Sequence, residues 1–309
     1  LDVSADRNVA CYTLCMESFD RSLDADEQVL AAAMALAGRR LAILTGAGVS
    51  TDSGIPDYRG EGTRHRSRQP VRFADYVSSE HARKRYWARA FVGWPRIRDA
   101  TPNITHHVVG ELVRTRRATG CITQNVDGLH QRGGADVVVE LHGALRWVRC
   151  LQCARMLDRD ELQQTLSTKN AGWQPNARRD AHAPDGDVDL DDDVIASFSV
   201  VDCVCGGALK PAVVFFGENV AADTLSSAWQ VLDAAQALLV LGTSLEVYSG
   251  RRFVMAAASR GLPVVLVTRG PTRADDLVTV KIDGAVGQAL EQLFGHDSGL
   301  ATSRFNADT

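Results

Sequence analysis

Short apolar runs alternate with amphipathic stretches along most of this chain. Leu41-Ala42-Ile43-Leu44-Thr45 has the length and unbroken apolarity of a strand buried on both faces. Runs of the same kind recur at 121–123, 137–140, 213–216, 237–241, 264–267 and 278–282. Helical patterns fall between them, over 26–37, 106–116, 226–235, 250–260 and 287–294. This alternation predicts an α/β domain on an open parallel sheet with helices on both faces. Two stretches interrupt it: 61–99, basic and aromatic with a helix predicted over 73–94, and 147–209, which has paired cysteines and an acidic interior. The expected layout is an N-terminal extension at 1–25 and a sheet domain at 26–60, 106–146 and 210–295. A small inserted module takes 61–105 and 147–209, and a disordered polar tail takes 296–309.

The segment after the first strand carries the most information. Gly46 and Gly48 permit a tight turn and close approach to a phosphate, and N–H groups beyond such a turn form an anion site. The third glycine comes only at Gly54, and Pro56-Asp57-Tyr58-Arg59 reads as loop rather than helix. The spacing is that of a nucleotide loop with an extension.

Composition narrows the function classes. The chain has 309 residues, 45% hydrophobic and 23% charged, with a net charge of -4. Such a balance gives no reason to expect nucleic acid or an anionic membrane as partner. Basic clusters at 64–72 and 83–89 read as solvated faces. No apolar run has membrane-spanning length and residues 1–24 lack a signal-peptide core, so an intracellular location is expected. Seven cysteines, an odd number, argue against a disulfide framework. Cys150-x-x-Cys153 and Cys203-x-Cys205 form two close pairs that suit a closed, structural Zn2+ site, although the second gap is one residue short of usual. Four buried thiols are the alternative.

Three more segments end strands at one sheet edge. Thr123-Gln124-Asn125-Val126-Asp127-Gly128-Leu129-His130 reads either as a turn closed by Asn and Asp side chains or as a ligand site. Glu140-Leu141-His142-Gly143 places an imidazole there, and Gly242-Thr243-Ser244 adds a hydroxylated turn.

These blocks, with VVFFGE and LEVYSG, together resemble the sirtuin family of NAD-dependent protein lysine deacylases over roughly 26–294. The segments 85–95 and 183–188 resemble its class II branch, which has mitochondrial animal and bacterial members. The resemblance implies a Rossmann-like parallel sheet domain with an inserted small zinc-binding and helical module. It implies NAD along the sheet edge, with Gly46, Ala47, Gly48 and Ser50 at the pyrophosphate and Asp57, Tyr58 and Arg59 in a closing loop. Gln124 would contact ribose, Asn125 and Asp127 would hold nicotinamide, and His142 would be the general base, with Asn125 also catalytic. Gly242, Thr243, Ser244, Thr268, Gly270 and Val286 would complete the cofactor site. Contacts near Thr268-Arg269-Gly270 depart from the family, where Asn is common. In the implied reaction the acyl oxygen attacks C1′ of the ribose as nicotinamide leaves, and water later releases lysine and O-acyl-ADP-ribose.

An acylated lysine of a protein would be the partner. Its backbone would be held by Val214, Phe215, Phe216 and Gly217 on one side and by Leu245 and Val247 on the other. Tyr86 and Arg89 share a helix face, and their spacing resembles the pair that recognises acidic acyl chains such as glutaryl. A solvated Arg89 is the alternative. Protein mono-ADP-ribosylation from the same NAD site, a catalytically weak NAD sensor and a zinc-ribbon nucleic-acid binder are the competing functions. A monomer is expected, cytoplasmic in a bacterium or in the mitochondrial matrix of a eukaryote.

Overall fold

The computed structural model describes residues 24–58, 71–175, 188 and 190–295. Arg59, the 183–187 part of the class II segment, the tail and most of the N-terminal extension lie outside the described residues.

Six strands form the main sheet in the order β3-β2-β1-β7-β8-β9, all parallel. They are β1 (Leu41–Thr45), β2 (Ala118–Thr123), β3 (Val138–Glu140), β7 (Ala237–Leu241), β8 (Val264–Thr268) and β9 (Val280–Asp283). The chain builds outward from β1 to β3, then restarts on the other side with β7. The order therefore reverses between β1 and β7, and the carboxyl ends flanking that reversal open a crevice where such sheets bind ligands.

Helices cover both faces, which is why β1, β7 and β8 are apolar at nearly every position. Ile43, Leu239 and Val265 point toward α1 (Ala25–Leu36), α4 (Ile104–Arg114) and α10 (Val286–Phe294). Ala42, Leu44, Leu238 and Val240 point the other way, toward α8 (Ala222–Asp233) and α9 (Tyr248–Ser259). Side chains alternate across a strand, so one sequence run serves two cores. Each fully buried Leu or Ile in them contributes about 1.5–3 kcal/mol.

A second sheet, antiparallel, runs β5-β4-β6 through β4 (Gly143–Cys150), β5 (Met156–Asp158) and β6 (Leu209–Val213). The expected strand at 213–216 thus ends at Val213 and belongs to the small module rather than the main sheet. The module also reaches back to Gly143 instead of starting at 147. Apolar runs reveal strands but not which sheet takes them, and Gly143 shows what joins the two. Its φ is +76°, and a Cβ there would lie 2.0 Å from Ala212 O, so only glycine lets β4 leave beside β6.

Helices α2 (Phe73–Ser78), α3 (Glu80–Asp99), α6 (Arg159–Lys169) and α7 (Asp192–Ala196) pack on this sheet around a separate aromatic core. The single helix expected at 73–94 is broken at Ser79, whose extended backbone and hydroxyl cap α3. Pro95 lies inside α3 and cannot donate to Phe91 O. Gln163 Nε2 on α6 donates there instead, at 2.9 Å.

Candidate active site

The glycine loop follows β1 as a 3-10 turn over Ala47–Ser53. Close packing against the turn after β7 explains its glycines. A Cβ on Gly46 would sit 2.6 Å from Thr243 Cβ, and one on Gly48 2.9 Å from Gly242 O. The N–H of Gly46 donates to Leu241 O (3.0 Å) and that of Gly48 to Gly242 O (2.8 Å). Those two groups are committed to the sheet, a use that the phosphate reading of the loop did not foresee. Gly54, with φ +81°, closes the turn, and Arg96 donates twice to its carbonyl. Tyr58 follows, half exposed, with Asp57 before it.

His142 sits where β3 gives way to β4, half-buried at the same edge. Its Nδ1 lies 2.9 Å from Gln124 O, a carbonyl that only accepts, so Nδ1 carries the proton. Nε2 then presents a lone pair, which accepts from Ser249 Oγ at 2.7 Å. Burial lowers the His142 pKa, partly opposed by the bond to Gln124, and keeps the ring neutral at pH 7. A fixed neutral imidazole with Nε2 forward is ready to take a proton. Ser249, at the start of α9, was missed by the sequence reading. The signal lay in its hydroxyl and in Gly250 directly behind it, because a Cβ on Gly250 would lie 2.6 Å from Gln124 Cδ.

Beside it three expected residues form one network. Asn125 Nδ2 donates to Ser50 Oγ (3.0 Å), which donates to Asp127 Oδ2 (2.7 Å), while Leu129 N donates to Asp127 Oδ1 (2.9 Å). Burial pushes the Asp127 pKa up, and these N–H and O–H donors pull against it. Gln124 Nε2 reaches Thr243 Oγ1 (2.9 Å), tying the ends of β2 and β7 together.

Farther along the edge, Thr268 ends β8 in a nearly closed environment. Gly270, at φ +73°, donates to Asp283 Oδ1 (3.0 Å) and accepts from Lys281 Nζ (2.8 Å). Val286 opens α10, and Ser244 accepts from Arg273 N through its carbonyl.

The two segments expected to hold a peptide differ in availability. Val214 N donates to His142 O (2.8 Å), and Phe216 O already accepts from Phe73 N (3.0 Å). Phe215 is buried in the aromatic core, Phe216 is half exposed, and Gly217 turns with φ +82°. Leu245 is a core side chain with φ +54°, so it offers backbone alone, whereas Val247 is exposed. Tyr86 packs edge-on to Phe215 with centroids 5.3 Å apart. Arg89 is 2% exposed and its Nε donates to Val188 O at 2.8 Å, so it does not lie on a solvated face. Arg83, from the same basic cluster, donates to the last carbonyls of α2.

The four paired cysteines come together. All four Sγ atoms lie within 4.8 Å of one another, Cys150 and Cys205 at 3.5 Å and Cys153 and Cys203 at 3.7 Å. Tetrahedral zinc with bonds of ~2.3 Å needs sulfurs about 3.8 Å apart, so the donor set fits that ion. The N–H groups of Cys153 and Gln152 point at Cys150 Sγ and lower its pKa, while the adjoining thiols push Cys205 the other way, so the four sulfurs share their protons as one cluster. The short Cys203–Cys205 gap is accommodated by Gly206 at φ +82°, whose N–H bonds Cys203 O.

Two more imidazoles lie under the site, His106 and His130, both fully buried. Burial lowers their pKa values to about 3 and about 4. Above pH ~6.5 both folded and unfolded chains hold them neutral, and they add no pH dependence. Below it the unfolded chain takes up protons that the folded one refuses, so stability falls as pH drops toward those folded values. Each contributes a slope of about 1.4 kcal/mol per pH unit. Burial raises the Asp127 and Glu140 carboxyls, which act with the opposite sign where they titrate. Urea unfolding of a chain carrying Asp127→Asn and Glu140→Gln should therefore show steady loss of stability from pH 6.5 to 5. A flat curve in that chain would contradict neutral burial of the pair.

The comparisons with known proteins agree with this geometry. The Sir2 family model matches residues 46–249. A protein of Xanthomonas axonopodis named NAD-dependent protein deacetylase is 50% identical over 253 residues, covering 82% of this chain and 86% of its own. The bovine mitochondrial NAD-dependent protein lipoamidase sirtuin-4 is 44% identical, with 82% and 81% covered. A solved complex of Sir2 with p53 peptide and NAD+ superposes with a TM-score of 0.68 at 27% identity, covering 85% of this chain and 95% of that one. The match spans the glycine loop, the His142 edge and the cysteine cluster alike, and the chain belongs to the Sir2 family.

Proposed function

We infer that the protein is an NAD-dependent protein lysine deacylase. The observation that carries this reading is the neutral His142 ring, its Nε2 lone pair aimed along the edge where the glycine loop and the Ser50–Asn125–Asp127 network meet. NAD, consumed as co-substrate, would supply a ribose carbon from which nicotinamide departs.

The chain's own residues divide the work. Gly46 and Gly48 keep the loop flush against Gly242 and Thr243, so the cofactor would lie on backbone rather than side chains. Asn125 and Asp127, held by Ser50, would orient the nicotinamide carboxamide. His142 would remove a proton from a ribose hydroxyl, with Ser249 keeping Nε2 on line until substrate displaces it. Asp57, Tyr58 and Arg59 would close over the cofactor, and Thr268, Gly270 and Val286 would border its adenosine end. An acyl-lysine peptide would run between 214–217 and 243–248, where exposed Phe216 and Val247 flank the entry.

Tyr86 beside Phe215, with Arg89 on the same helix face, supports an acyl chain that ends in a carboxylate, such as glutaryl. The cysteine cluster would hold Zn2+ without an open coordination position, so the metal serves structure. Among the described residues no helix is long and apolar enough to cross a membrane. We place the protein inside the cell as a monomer, its partners being acylated proteins rather than nucleic acid.

Mass spectrometry of reactions with NAD and a panel of acetyl-, glutaryl-, succinyl- and lipoyl-lysine peptides tests the reading. Nicotinamide, free lysine and O-acyl-ADP-ribose are expected in equal amounts, fastest with an acidic acyl group. ADP-ribose attached to protein, with lysine still acylated, would instead establish the transferase alternative.

A further inference from the structure

Beneath the Ser50–Asn125–Asp127 network, polar side chains continue inward through the core. The strand ends β1 and β2 stand in register at Thr45 and Thr123, and Thr45 Oγ1 lies 2.8 Å from Thr123 Oγ1. Thr123 Oγ1 accepts the backbone N–H of Asn125 at 3.1 Å. On its other side Thr45 Oγ1 lies 2.8 Å from His130 Nε2. His130 belongs to the short helix α5 (Leu129–Arg132), and its ring centroid is 4.9 Å from that of His106 on α4. His106 Nδ1 accepts from Asn103 N at 3.2 Å. Asn103 also caps α4 by accepting from Thr105 N, and it donates to Val49 O and Ser53 Oγ in the glycine loop.

Proton positions follow from these partners. A backbone N–H only donates, so His106 Nδ1 is bare and its proton sits on Nε2. Among the described residues, His106 Nε2 and His130 Nδ1 have no hydrogen-bond partner. Thr45 Oγ1 donates its one proton to Thr123 Oγ1, so toward His130 it can only accept, and the His130 proton sits on Nε2. The opposite tautomer would set a bare Nε2 against that acceptor and bury both unpaired, which is costly. The two rings pack together without a hydrogen bond between them, and the bonded run is His130 N–H to Thr45, Thr45 O–H to Thr123, and Asn125 N–H to Thr123.

We propose that His130 is a positioning residue whose hydrogen bond to Thr45, passed on through Thr123, fixes the backbone of Asn125 and so the ring-binding side of the cofactor site, with the His106 ring packed against it. Asn103 holds His106 against this run and bonds the glycine loop as well. The proposal rests on the reading of Asn125 as part of the nicotinamide pocket. Neither histidine touches a reacting atom in it.

The tautomers can be measured on the unmodified protein. Long-range 1H–15N correlation at pH 7 should show both rings neutral with the proton on Nε2. A proton on His130 Nδ1 breaks this run and overturns the proposal, whether or not any variant folds. Two substitutions then test the consequence: His130→Leu removes the donor, and His130→Gln keeps an N–H near the place of Nε2.

In the Leu variant, amide exchange at Asn125 should quicken about tenfold and nicotinamide exchange into NAD should slow about tenfold, one hydrogen bond's worth. Amide exchange at Val148, in the small sheet, and KM for the acyl peptide should stay put. The Gln variant should recover both losses to within about threefold. Equal behaviour of Leu and Gln variants would refute positioning through the donor. Should Asn125 exchange respond while nicotinamide exchange does not, the run stands and the nicotinamide assignment of Asn125 falls.

Discussion

His142→Ala should lower formation of O-acyl-ADP-ribose by about 10²–10⁴-fold, the usual share of a positioned general base. The loss should fall on kcat more than on KM for NAD, because His142 is held by Gln124 O and Ser249 Oγ rather than by the glycine loop. In the proposed sequence the ring acts after nicotinamide has departed. Nicotinamide exchange should therefore survive better than turnover. An equal fall in both would move His142 to the first chemical step. The pH profile of the unsubstituted enzyme gives a second check. Burial places the His142 pKa below its ordinary 6.5, so kcat/KM should lose activity only on the acid side of that value. A basic limb alone would mean that the ring acts protonated.

The second large effect concerns the cysteine cluster. Cys203→Ser, or prolonged chelation, should lower the melting temperature by well over ~10 °C and abolish activity, although no sulfur takes part in the reaction. Structural zinc binding contributes about 10–16 kcal/mol in small domains, more than a domain's net stability. The path to activity is short. Cys150 ends β4, and Leu209 of β6 pairs with it, while the far end of the same strand pair reaches Gly143 and Val213. There Val214 N holds His142 O. Unfastening the sulfur end should loosen the catalytic end. Zinc content, thiol titration and activity measured on one sample decide the matter. Full activity in metal-free, melted-module protein would refute the coupling.

Much of this was legible in the sequence, for physical reasons. Strands covered on both faces leave unbroken apolar runs, so β1, β7 and β8 stood out, and the glycine loop marked the carboxyl edge. Thiol spacing found the metal site because chelation demands proximity. What escaped depended on tertiary partners. Whether Val213 joined the main sheet or the small one turns on Gly143 and a contact across the fold. Whether Arg89 recognised an acyl chain or lay on a solvated face was open in the sequence, and the solvated alternative fell only when α3 buried that face. Ser249 and the run from His130 through Thr45 and Thr123 join elements far apart in the chain, and no local pattern announces such bonds. The committed N–H groups of Gly46 and Gly48 could be assigned only once the β7 turn was seen against them.

The +76° glycine after His142 also bears on how relatives could exchange parts. Its neighbour on one side is the base, and the glycine is itself the first residue of the small sheet, with Ala212 O filling the room a methyl would need. A chimera that trades the cysteine-bearing unit must therefore cut on both sides of this contact, carrying Gly143 and Ala212 together. A splice between them would inherit two backbones never fitted to each other, at a point where misfit is passed directly to the imidazole.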